Sequence, residues 1–116
     1  MSYLLLIVEP NGQRATRTEA EGREVYDRMV RFAAELQSRG QLKAVESLGS
    51  LASATRVSAA GASVLDGPFA EAKEMIGGFF LLDGVTRDEA VAIARRCPAA
   101  EWATVEVRSL APCYET

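Results

Sequence analysis

Two runs in this chain, residues 3–8 (Tyr-Leu-Leu-Leu-Ile-Val) and residues 79–82 (Phe-Phe-Leu-Leu), are apolar at odd and even positions alike. Successive side chains of a strand point to opposite faces, so a run without polar alternation belongs to a strand covered on both sides. Each run is followed by an amphipathic helical pattern, the first after a polar link. The fold must therefore set two central strands against helices on one face and against something else on the other.

Beyond the first run, Glu9-Pro10-Asn11-Gly12 reads as a turn and residues 11–17 as a polar link. Thr16 with Glu19, or Thr18 with Glu21, supplies a capping box that starts a helix running to about Arg39, with Gly40 as its stop. Val25, Met29, Phe32, Ala33 and Leu36 make one apolar stripe, flanked by Tyr26. The opposite surface carries Glu19/Arg23, Glu24/Arg28, Asp27/Arg31 and Glu35/Arg39, all spaced i, i+4 with the acid first, the better orientation. Arginines neutralised along their own helix do not form a phosphate-binding stripe.

Residues 42–48 read as a strand and 49–52 as a link. Residues 54–57 and 62–65 read as a hairpin around Ser58-Ala59-Ala60-Gly61. Asp66-Gly67-Pro68-Phe69 then breaks the pattern, and a charged loop with Glu71, Lys73 and Glu74 leads through Gly77-Gly78 into a strand over 79–83. Thr86 with Glu89 caps a second helix that turns Ala90, Val91 and Ala94 inward and ends at Arg95, Arg96 and Pro98. In the last strand Ala103, Val105 and Val107 alternate with Thr104, Glu106 and Arg108. The order is β-α-β-hairpin-β-α-β in one domain over residues 1–116. Such an order predicts an α+β fold of ferredoxin-like, split βαβ type with an inserted β-hairpin, its helices on one side of a mixed, mainly antiparallel sheet. Two helices cover one face only. The two-sided strands then imply a second copy of the chain against the other face, a homodimer.

Composition removes several classes of function. Thirteen Lys and Arg against sixteen Asp and Glu leave a net charge of −3, against a nucleic-acid partner. The chain has no histidine, which excludes Ser-His-Asp and Cys-His catalysis and the His-bearing zinc motifs. Cys97 and Cys113 alone cannot complete a thiolate metal site, and two free thiols fit a reducing cytoplasm. No metal and no cofactor are expected. No targeting or membrane-spanning segment is legible.

The densest polar cluster is Asp66-Gly67-Pro68-Phe69-Ala70-Glu71-Ala72-Lys73-Glu74, closed by Gly77-Gly78. Pro68 stiffens the exit from a strand and Gly67 can adopt angles a side chain would forbid, so Asp66 is held where a carboxylate can act as acid, base or ligand acceptor. The same residues are also ordinary turn chemistry, and Glu71, Lys73 and Glu74 can be simply solvated. If the cluster is a site, Asp66 is its catalytic candidate. Gly67, Pro68, Phe69, Glu71, Lys73 and Glu74 line it, Tyr26 helps to close it, and Lys73, Arg56 or Arg108 holds an anionic group.

The stretch from Asp66 to Asp83 resembles the signature of the DGPF branch of the YCII-related family. Residues 3–8, 32–42 and 105–110 resemble that family's first strand, first helix end and closing strand. The resemblance implies a ferredoxin-like fold that dimerises into an α+β barrel, with a cleft near the Asp-Gly-Pro-Phe turn. It also implies a small organic ligand and, through relatives encoded beside alternative sigma factors, a regulatory association. Some relatives are proposed to use a His-Asp pair, which a chain without histidine cannot supply. Two classes of function follow: a dimeric module that binds a small molecule or protein, or a small lyase- or isomerase-type enzyme with Asp66 as base.

Overall fold

The computed structural model describes residues 1–115. Strand β1 (Ser2–Pro10) alternates between buried and half-buried side chains along nearly its whole length. Helix α1 (Glu19–Ser38) starts at Thr18: its hydroxyl accepts from the Glu21 N–H, and the Glu21 carboxylate accepts from the Thr18 N–H. Of the two capping boxes open to the sequence, the structure uses the second. The helix ends as a Schellman motif, the Gly40 N–H reaching Gln37 O and the Gln41 N–H reaching Leu36 O, with Gly40 at φ 68°.

Strand β2 (Leu42–Ser47) follows, then a 3₁₀ turn (Leu51–Ser53) and the hairpin of β3 (Thr55–Ser58) with β4 (Ser63–Asp66). The hairpin forms its own two-stranded sheet, and every residue in both strands is exposed. Its tip places Ala59 and Ala60 at φ 53° and 55°, in the left-handed region that disfavours a Cβ. Strand β5 (Glu74–Asp83), helix α2 (Arg87–Arg96) and strand β6 (Thr104–Ser109) complete the chain.

The main sheet has four strands in the order β2-β5-β1-β6. All three pairings are antiparallel, so the sheet is not mixed. With the hairpin set aside, this is two interleaved split βαβ units, the ferredoxin-like α+β arrangement. One core joins Tyr3, Leu5 and Ile7 of β1 and Phe80 and Leu82 of β5 to Phe32 and Leu36 of α1 and Ile93 of α2. Both helices therefore lie on the same face of the sheet. Phe32 and Phe80 meet edge to face, ring centroids 5.7 Å apart.

Four sequence expectations need correction. Strand β5 begins at Glu74, not Phe79, so Glu74 is strand rather than loop and Gly77-Gly78 lie within the ladder. Both glycines answer to close neighbours. A Cβ on Gly78 would sit 2.8 Å from Glu46 O of β2, and one on Gly77 would sit 2.6 Å from Glu9 Oε2. In α2, Ile93 takes the inward place expected of Val91, because 90, 93 and 94 share one helical face. Only Glu19/Arg23 and Glu35/Arg39 of the four helical pairs form among the described residues. Arg28 turns instead to Glu101, which holds the Glu101 carboxyl below the usual carboxylate range. Last, the α1 stripe is only partly core. Phe32 and Leu36 are buried, whereas Val25, Met29 and Ala33 are half-buried.

On the face away from the helices, the register places Leu4, Leu6 and Val8 opposite Leu81, Phe79 and Ile76. The molecule measures 43 × 42 × 18 Å, about the depth of one sheet and one layer of helices.

Candidate functional site

The half-buried stripe of α1 stands over a cleft of about 860 Å³. Val25, Met29 and Ala33 form its roof, Ile7 and Phe80 its floor, and Val45 of β2 one wall. Its volume lies within the roughly 300–1,000 Å³ of small-molecule sites, and its lining is mostly apolar, as theirs is. Tyr26 and Val30 stand at the rim, both exposed.

The polar end of the cleft comes from the alternation of β1. Tyr3, Leu5 and Ile7 point to the helix face, and the next inward position is Glu9, the one buried charged residue among those described. It is 5% exposed. The chain then turns through Gly12 at φ 88° into a 3₁₀ turn (Gln13–Thr16), which brings Arg14 back over the strand. Arg14 Nε donates to Glu9 Oε1 at 2.6 Å, Nη1 to Leu48 O at 2.7 Å and Nη2 to Gly77 O at 3.2 Å. One guanidinium thus ties the end of β1 to Gly77 within β5 and to Leu48 just past β2, and its planar fork suits that task. Gly77 leaves room for the pair, since a Cβ there would meet both side chains. Among the described residues, no donor reaches Glu9 Oε2. Beside the pair, Trp102 also lines the cleft. The guanidinium carbons of Arg17 and Arg28 lie 5.8 and 5.5 Å from its ring centroid, and Gln13 Nε2 donates to its carbonyl at 3.0 Å.

The residues singled out in the sequence fall in three places. Asp66 ends β4, exposed, with Oδ1 accepting from the Thr55 hydroxyl at 2.7 Å across the hairpin. The Gly67 N–H donates to Ala54 O at 2.7 Å, and the Gly67-Pro68 peptide is cis. Phe69 is buried beneath Arg56, whose guanidinium carbon is 3.8 Å from the ring centroid; Glu71 is 3.9 Å from the same guanidinium. Asn11 holds the loop down: Nδ2 donates to Phe69 O and Ala72 O, and its N–H to Lys73 O. The structure therefore gathers Asp66, Gly67, Pro68, Phe69, Glu71 and Arg56 at the hairpin base, with Lys73 and Glu74 leading into β5. Tyr26 is apart from them, on the rim of the α1 cleft. Arg108 lies opposite Leu4 on the face away from the helices, ion-paired with Glu106 at 3.5 Å.

Glu9, Arg14, Gly22 and Trp102 are among the cleft residues that sequence reasoning passed over. A signal existed for Glu9. It continues the inward positions of β1, and a carboxylate there needs a cation nearby. Reading Glu9-Pro10-Asn11-Gly12 as a turn hid it.

No group of three or more His, Cys, Asp or Glu able to hold a metal ion occurs among the described residues. No helix among them is long and apolar enough to cross a membrane. The family model of the YCII-related domain matches residues 1–113. An uncharacterized protein of Rhizobium meliloti (strain 1021) is 38% identical over 102 residues, covering 81% of this chain and 82% of its own length.

Proposed function

The chain belongs to the YCII-related family, and from that premise we propose that it is a small-molecule-binding module whose ligand lies between α1 and the sheet. The observation that carries this reading is the state of the α1 stripe. Val25, Met29 and Ala33 are spaced for a core, yet they roof a cleft that ends in the buried Glu9 and its half-exposed partner Arg14. Apolar surface left facing a concave space that also carries polar groups is what a ligand site requires.

On this reading the Asp66–Phe69 segment, by which we assign the chain to the DGPF branch, acts as an anchor. It holds the hairpin base, and Asn11, two residues beyond Glu9, clamps the loop that follows. We further propose that the module works in the cytoplasm as a homodimer joined through the open sheet face. The apolar pairs Leu4–Leu81, Leu6–Phe79 and Val8–Ile76 support that assembly.

The test is an amide-resolved NMR screen of ring-sized fragments against the whole chain. Hits should shift the amides of Gly22, Gly77 and Gly78. Shifts confined to residues 66–71 would move the site to the hairpin base and overturn the cleft assignment.

A further inference from the structure

Two features of the cleft lining narrow what it takes. The first is Gly22. It stands in the first turns of α1, its N–H donating to Thr18 O at 2.9 Å, and it lines the cleft. Glycine inside a helix is disfavoured against alanine, and it is usually retained for a close approach or a positive φ. Neither applies here: a Cβ at Gly22 would meet nothing within 4 Å. The space it leaves is cleft.

The second is the unshared oxygen of Glu9. Oε1 is taken by Arg14, while Oε2 lies over Gly77, which also lines the cleft, and receives no donor from the described residues. A body that enters the cleft strips water from that oxygen. An occupant without a donor leaves a buried carboxylate lone pair unsatisfied, and one with an N–H or O–H restores it. Arg14 is already spoken for by Glu9, Leu48 O and Gly77 O, so it is poorly placed to receive an anion. Charges around the cleft are nearly balanced, three arginines against four carboxylates, which favours no net charge on the occupant.

Resting on the cleft reading above, we propose that the cleft takes an uncharged, mostly apolar molecule that packs beneath Gly22 and delivers one N–H or O–H donor to Glu9 Oε2. Glu9 is then the specificity-determining residue and Gly22 the position that keeps room for it.

Indole and indene make the test. They share a shape, but only indole carries a donor. NMR titration of the whole chain should show indole shifting the amides of Glu9, Gly22 and Gly77, with indene binding about tenfold or more weakly. Benzoate, carrying a negative charge, should be weaker than indole. Gly22→Leu should lower indole affinity about tenfold or more without lowering the melting temperature, and Gly22→Ala should lower it less. Equal affinity for indole and indene at the cleft amides would overturn the role of Glu9 while leaving the cleft as a site. Unchanged indole affinity in Gly22→Leu would overturn the role of Gly22. Indole that shifts no cleft amide would overturn the whole inference, and the cleft reading falls with it only if the fragment screen is silent there too.

Discussion

Gly67 and Gly22 are both glycines that leave no trace in a hydrophobicity pattern, and they respond to a methyl group in opposite ways. At Gly67 a Cβ would fall onto the carbonyl oxygen of Leu51 and crowd that of Ala54. Gly67→Ala should therefore destabilise the fold by about 1–3 kcal/mol, read from urea denaturation. Gly22→Ala meets open space in a helix and should stabilise it by about 0.5–1 kcal/mol. Asp66→Asn keeps an acceptor for the Thr55 hydroxyl, so melting temperature and ligand affinity should both change little. A lost affinity at unchanged melting temperature would return Asp66 to the binding site. The two thiols also differ by position. Cys97 is buried, and burial pushes its thiol pKa up, whereas Cys113 is exposed. Alkylation of the native chain should modify Cys113 and reach Cys97 only on unfolding.

At the scale of elements, the two helices are stopped and started by local chemistry. Thr18→Ala should cost about 1 kcal/mol of stability by removing the acceptor for the Glu21 N–H. Glu21 and Glu89 are each held below the usual carboxylate range, first by the backbone N–H of Thr18 or Thr86 and then by that residue's side chain. A lowered folded pKa means stabilisation that is complete above the unfolded value. It is lost as pH falls through the folded one. Stability should therefore decline as pH drops below about 4.5, and the pair Glu21→Gln and Glu89→Gln should decline less steeply in acid denaturation. The hairpin is built differently. Its strands bury nothing, and its position depends on Asp66, Gly67 and Phe69 at the base rather than on packing along its length.

The main four-stranded sheet carries helices on a single face, and the molecule's small depth follows from that count of layers. The central strands present Leu4, Leu6, Phe79 and Leu81 to the uncovered side, flanked on β6 by Glu106 and Arg108. A patch that is apolar at the centre and charged at its margin suits the twofold contact proposed above. Sedimentation at micromolar concentration should give a dimer, and Leu6→Lys with Phe79→Lys should give a folded monomer. A monomer of the unchanged chain would remove the assembly proposed for it.

Alternation, spacing and caps are local quantities, and they carried the element order, the two-sided apolar character of β1 and the family likeness of residues 66–83. They also placed the hairpin to within a residue or two, because Ser58-Ala59-Ala60-Gly61 reads as a turn wherever the chain goes. Tertiary structure alone decided the rest. Periodicity shows that Val25, Met29 and Ala33 lie along one stripe of α1, but not that this part of the stripe roofs a cleft while Phe32 and Leu36 seal the core. Nor does it show that Arg28 prefers Glu101, 73 positions away, to Glu24 one turn before it. Glu9 and Arg14 are five residues apart, yet their pairing is held in place by Leu48 O, just past β2, and Gly77 O of β5, which the same guanidinium reaches. A contact fixed by several strands at once depends on relative positions that no single segment encodes, and there the local reading ends.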